Sequence, residues 1–219
     1  MREKWNEIVR RRIKEINIPR PVFAERVGIS SPALGHWLNG TRKPNLEDIA
    51  RMFYLLGIDS VTLHSDGLVS LQEVHEVSQI EGVALIGSLD FGFKEMGNAT
   101  EQTQFVAEEK RLYVDFRSSD PRPYALKIKG TALIPRIRRD EIIVVEPMLK
   151  QPSVGDDVVL IVKATGEYLI KNINTLAVNA EDPHIFADIN DRTLLCAFKK
   201  CEVDIHPITG IVGQDKIVR

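Results

Sequence analysis

The chain has 219 residues, 43% hydrophobic and 27% charged, which excludes a disordered polyelectrolyte and leaves room for one large packed domain or two small ones. No apolar run reaches the roughly 18 residues of a membrane span, and the charged start Met1-Arg-Glu-Lys lacks the apolar stretch of a signal peptide, so a cytoplasmic protein without a membrane partner is expected. The formal net charge of -2 hides a split, because residues 1–58 carry 11 Lys and Arg against 6 Asp and Glu; a basic segment attached to an acidic remainder points to nucleic-acid contact by the basic part.

Trp5, Ile8, Val9, Ile13 and Ile16 recur at helical spacing and predict an amphipathic helix over 3–16. Pro19 and Pro21 open a second, short helix carrying Val22, Phe23, Ala24 and Val27, and Gly28 supplies its stop. Ser30 is placed to cap a third helix from Ser31 to Leu38, with Pro32 in its first turn and Asn39-Gly40 as its end. Asn45 caps a fourth, whose face bears Leu46, Ile49, Ala50, Phe53 and Leu56, and Gly57 closes it. Two short helices joined by a tight turn and set between two amphipathic ones make a helix-turn-helix.

The run Pro21-Val-Phe-Ala-Glu-Arg-Val-Gly-Ile-Ser, followed by Ser31-Pro-Ala-Leu-Gly-His-Trp-Leu-Asn-Gly-Thr-Arg-Lys-Pro44, resembles the Cro/phage-repressor type of helix-turn-helix. That resemblance implies that Leu34 and Trp37 turn inward while Ser31, Pro32, Ala33, Gly35 and His36 face a major groove. It also implies that Arg20, Asn39, Thr41, Arg42 and Lys43 lie beside phosphates. Phosphate contacts set affinity and register, whereas base-edge contacts set specificity. Pro32, Ala33 and Gly35 offer only apolar contact or close approach, so His36, Ser31 and Arg20 are expected to carry most of the discrimination. The bland alternative is a protein-binding bundle whose basic residues are simply solvated; the order of basic residues around the third helix favours DNA.

Residues 59–82 show no strong period and read as a connector. Leu71, Val74 and Val77 suit either a short helix or an extended tether. His64 and His75 lack metal-ligand companions at useful spacing.

From residue 83 short apolar runs alternate with turn residues: Val83–Ile86, Leu112–Phe116, Tyr124–Ile128, Ile142–Val145, Val158–Val162, Glu167–Lys171 and Ile211–Gly213. They predict a mainly antiparallel β domain over 83–219, so the fold class is a multidomain α + β chain with an all-α N-terminal domain at 1–58. Cys196 and Cys201 are too few for a disulfide framework and lack zinc-site spacing, so no metal and no cofactor is expected.

Within this part, the stretch Leu126 to Pro147, then Val154-Gly-Asp-Asp-Val-Val-Leu and Tyr168-Leu-Ile-Lys-Asn-Ile, resembles the LexA/phage-repressor peptidase family. The family is known for self-cleavage by a serine-lysine dyad. The resemblance places Gly130-Thr131-Ala132-Leu133 where the family has Gly-x-Ser-Met, so Ala132 stands at the nucleophile position, and it places Lys171 at the lysine position. Phe91-Gly92 falls at the scissile bond, where a small residue normally precedes the glycine, and the ring is expected to be too large for that pocket. A base without a hydroxyl to deprotonate performs no acyl chemistry. The expectation is therefore not an enzyme, but a LexA-like repressor of lysogeny that binds double-stranded operator DNA as a homodimer or higher even oligomer and is relieved by an antirepressor protein. The alternative is a self-cleaving LexA-like autoprotease captured as an inactive Ser-to-Ala variant, and a third reading is an antitoxin-like adaptor.

Overall fold

The computed structural model describes residues 2–71, 82–91, 103–179 and 181–218. By their contacts they form two units, the first containing the described residues up to Leu71 together with Ser119–Arg122, the second containing the rest.

In the first unit four helices follow one another: α1 (Trp5–Glu15), α2 (Arg20–Val27), α3 (Ser31–Leu38) and α4 (Leu46–Leu55). Their ends follow from local chemistry. The Ser30 hydroxyl accepts from the Ala33 amide at 3.3 Å, and the Asn45 side chain accepts from the Asp48 amide at 2.7 Å, so α3 and α4 each start on a cap that satisfies an otherwise orphaned donor. Gly28 ends α2 with φ +86°, a left-handed conformation that costs a glycine little. The α1 stripe Ile8, Val9 and Ile13 is buried with Val22, Phe23, Ala24 and Val27 of α2, Leu34 and Leu38 of α3, and Met52 and Phe53 of α4. Trp37 is only half-buried, at the rim rather than in the core.

The connector expected over 59–82 differs from what is seen in its described part. Val61–Leu63 and Val69–Leu71 form an antiparallel hairpin, β2 and β3, and Arg2–Glu3 (β1) pairs with β3 to make a three-stranded sheet in the order β1-β3-β2. The turn is set by Asp66, whose side chain accepts from the Leu68 amide at 2.9 Å, and by Gly67 at φ +78°. Strands of three residues give too short a pattern to register as alternation, and the third strand comes from the far end of the unit. Val74 and Val77, offered for a helix, lie outside the described residues.

The second unit is a ten-stranded sheet built from β4 (Val83–Phe91), β5 (Thr103–Val114), β6 (Tyr124–Lys129), β7 (Ile142–Val145), β8 (Asp157–Val162), β9 (Glu167–Thr175), β10 (Pro183–Asp188), β11 (Leu195–Lys199), β12 (Val203–Val212) and β13 (Ile217–Val218). Their order is β11-β10-β9-β8-β12-β7-β6-β4-β5-β13. Every neighbouring pair is antiparallel except β4 and β6, which run parallel. Side chains from alternate positions fill separate cores. Leu89, Phe91, Leu126, Ile128, Leu133, Ile137, Val159 and Ile170 belong to one, and Val158, Leu160, Ile173 and Phe186 to another. The glycine at 87 is demanded by packing, since a Cβ there would sit 2.5 Å from both the Phe105 ring and the Val106 carbonyl.

The cap on α3 has a measurable consequence. Ser30→Ala should lower the stability of the helical unit by about 1 kcal/mol, because the Ala33 amide then loses its partner. Chemical denaturation followed by far-ultraviolet circular dichroism would read it, and an unchanged midpoint would mean that water caps the helix equally well.

Candidate functional site

Two regions carry the residues singled out in the sequence. The first surrounds α3. With Leu34 1% exposed and Leu38 2% exposed, the buried stripe of this helix is fixed, and at about 100° per residue the side chain most nearly opposite it is His36. Pro32 and Ala33 flank His36 on that outward face; Ser31, Pro32 and His36 are exposed, and Ala33 and Gly35 half-buried. A Cβ built on Gly35 would meet nothing within 4 Å, so no neighbour in the unit requires a glycine there.

His36 is not free to swing. Its Nδ1 lies 3.0 Å from the Thr41 hydroxyl, and that hydroxyl donates to the His36 carbonyl at 3.0 Å. The segment after α3 folds back on the helix, with the Thr41 amide donating to the same carbonyl at 3.0 Å. Arg42 and Lys43 are exposed just beyond it, as are Asn39 and, at the start of α2, Arg20. Sequence reasoning misses two residues of α1 that hold the end of α3. Asn6 donates its side-chain amide to the Leu38 carbonyl at 2.8 Å, and Arg10 donates to the same carbonyl and, at 3.0 Å, to the Asn39 Oδ1. These bonds satisfy a carbonyl that a helix terminus leaves open, and a cation there suits the negative end of the helix. No local signal announces them, since they arise from packing α1 on α3.

The second region surrounds Ala132, in the turn that follows β6. Gly130 has φ +87°, and a Cβ on it would lie 2.8 Å from the Phe91 carbonyl, so the end of β4 passes directly against this turn. Ala132 packs against the core cluster that contains Phe91 and Leu133, while Thr131 is exposed. Phe91 itself is 4% exposed and paired in the sheet opposite Thr103. The ring is held among apolar neighbours of this core. The core here is built around a phenyl group, with Phe105 stacked on Tyr168 at 4.8 Å beside it. Gly92 lies outside the described residues.

Lys171, on β9, faces Asp188 on β10, and their side chains form an ion pair at 3.1 Å, both largely buried. Burial works against the Asp188 carboxylate, but the Asn190 amide, the Lys171 ammonium and the Asp191 amide together outweigh it and hold the carboxyl below its ordinary value. Asn190 then reaches back to the turn, donating its side-chain amide to the carbonyls of Ala132 at 2.8 Å and Ile134 at 2.9 Å. Ala132 and Lys171 are therefore joined by the path Lys171, Asp188, Asn190, Ala132. A second bridge ties the same turn to β8 through Arg136, which donates to Asp157 at 2.7 Å, and Asp157 in turn accepts from the buried Asn172 at 2.8 Å.

Residues 84–189 match the Peptidase S24-like family. The matched stretch runs from β4 through β10 and so contains the turn at Ala132, Phe91, Lys171 and Asp188. Comparison with curated proteins returns no match. The S24-like match covers the stretch whose motifs resemble the LexA type and stops short of β11 to β13. Among the described residues, no group of three or more His, Cys, Asp or Glu side chains is placed to hold a metal ion, and no helix is long and apolar enough to cross a membrane.

The Asp188 pair sets a pH dependence for the S24-like region. A carboxyl held lower in the folded state than in the unfolded chain contributes stability that is complete above the ordinary Asp value of 3.8 and is lost as pH falls through the lower, folded value. Asp188→Asn should therefore destabilise the protein at pH 7 and flatten the acid limb of a melting-temperature profile. An acid limb as steep as in the unchanged protein would assign the effect to other carboxylates.

Proposed function

We propose that the chain is a sequence-specific DNA-binding transcriptional repressor of the phage or prophage type, which binds palindromic operators as a dimer and is released by an antirepressor protein rather than by self-cleavage. One observation carries the DNA reading: the exposed face of α3 is centred on His36, free of bulky side chains at Ala33 and Gly35, and bounded by the exposed basic residues Arg20, Arg42 and Lys43. A surface of that kind lets a backbone approach base edges while cations flank it. A single unit of this size reads only a few base pairs, so two half-sites about 34 Å apart are needed for a specific affinity, and the β domain is the part available to bring two copies together.

The non-cleaving reading rests on Ala132, which has no hydroxyl, and on the Lys171–Asp188 ion pair, which engages the amine as an ammonium when a general base must be neutral. With no self-cleavage, and with neither a metal constellation nor a phosphate-binding glycine loop recognisable in the sequence, release falls to a protein partner.

Replacing Arg42 and Lys43 together by Ala should weaken binding to operator and random DNA alike and reduce the slope of log affinity against log salt by roughly one unit for each phosphate no longer neutralised. Titrations by fluorescence anisotropy at several salt concentrations would measure it, and an unchanged slope would remove both residues from the interface.

Ala132→Ser tests the other half. The restored hydroxyl should not produce fragments during mildly alkaline incubation, because Lys171 remains paired with Asp188 and Phe91 remains fixed in the core. Two fragments on a denaturing gel, joined in the intact chain between Phe91 and Gly92, would establish the self-cleaving alternative.

A further inference from the structure

Accepting the DNA-binding reading above, the hydrogen bonds around α3 specify what His36 asks of a base. We propose that His36 meets the major groove as a hydrogen-bond acceptor and reads an exocyclic amino group, adenine N6 or cytosine N4, because Thr41 holds the imidazole proton on Nδ1.

A threonine hydroxyl has one proton. Thr41 sits 3.0 Å from the His36 carbonyl and 3.0 Å from the His36 Nδ1. A carbonyl oxygen only accepts, so the hydroxyl proton goes to it, and Oγ1 then meets Nδ1 as an acceptor. Both contacts are satisfied together when Nδ1 carries the ring proton. The carbonyl also receives the Thr41 amide at 3.0 Å and, as its longest contact, the Arg42 amide at 3.3 Å, so the loop that presents Thr41 is itself fastened to the end of the helix. In a neutral ring this leaves Nε2 unprotonated. Nε2 has no partner among the described residues, and it belongs to the side chain most nearly opposite the buried Leu34 and Leu38.

The surroundings concentrate the choice on this atom. Pro32, Ala33 and Gly35 bring no side-chain donor or acceptor to the face. On its major-groove edge each base pair carries an amino group on one strand only, on adenine or cytosine, while thymine presents O4 and guanine O6 and N7 as acceptors. An acceptor on the protein therefore distinguishes which strand carries the amino-bearing base at its position. Asn39 complements it: with Oδ1 accepting from Arg10 at 3.0 Å, its side-chain N–H groups remain as donors, which suits a phosphate oxygen. One turn of α3 thus ends in a base-directed acceptor and a backbone-directed donor, each fixed by a bond inside the protein.

The test begins by selecting the preferred duplex from a pool of random-sequence DNA with the full-length protein. In the selected duplex each adenine is then replaced in turn by purine, which lacks the N6 amino group, and each cytosine by pyrimidin-2-one, which lacks N4. At one position per half-site, loss of the amino group should weaken binding about tenfold for the unchanged protein. The ratio between parent and substituted duplex should fall to about one for His36→Ala, and it should shrink for Thr41→Val, which keeps the side-chain shape and removes the acceptor that holds Nδ1. No amino group whose loss depends on His36, or a His36-dependent position sensitive instead to 7-deazaguanine, would overturn the acceptor assignment. A tenfold ratio retained by Thr41→Val would overturn the role of Thr41. Failure to enrich any sequence, with no binding to random duplex at low salt, would overturn the DNA-binding reading itself.

Discussion

An eight-residue helix is too short to persist in water, and α3 exists because Leu34 and Leu38 are buried against α1 and α2. That burial fixes the rotation of the helix about its axis. Once the rotation is fixed, His36 must face outward with Pro32 and Ala33 beside it, whatever their individual preferences. The bonds from Asn6 and Arg10 to the Leu38 carbonyl fix the remaining freedom, the direction in which the chain leaves the helix, and so decide where Thr41, Arg42 and Lys43 emerge. The proposed recognition surface is in this sense a by-product of a small apolar core and of satisfied carbonyls, with little left to the flexibility of its own side chains.

The turn at Ala132 shows a similar economy put to a different end. Asn190 and Arg136 anchor it from two sides, and Phe91 lies against it from a third. Such anchoring is what a catalytic turn needs to hold a nucleophile within reach of its base. In this chain it surrounds a methyl group and an ion-paired lysine. The polar scaffold therefore persists where the chemistry is proposed to be absent, and its remaining role is to keep the turn folded onto the core without a buried polar group left unpartnered.

Much of this is legible in the sequence wherever the signal is local. Ser30, Asn45 and Gly28 announce the helix ends because a cap or a left-handed stop acts within three or four residues. The runs at 142–145 and 158–162 announce strands because they are uniformly apolar and bounded by turns. The hairpin at 61–71 and strands β10, β11 and β13 give no such signal, being either very short or, like Leu195–Lys199, edge segments with mixed exposure. At the site, Ala132, Lys171 and Phe91 are identifiable by their motif positions. Asp188 and Asn190 are not, because their importance depends on the register that sets β10 beside β9. For Phe91 the sequence gives the motif position but not the burial in the core, which depends on residues far apart in the chain.

The pairing of Arg2–Glu3 with Val69 and Ser70 joins the start of the helical unit to a strand almost seventy residues later. In folding terms this is a contact of high order placed on an otherwise local helical bundle. During synthesis the four helices can pack as soon as they emerge, whereas the sheet must wait until Leu71 has left the ribosome. A fragment that stops after α4 would keep the four helices but leave β1 without its neighbour, and would lack Ser119–Arg122, which also belong to this unit.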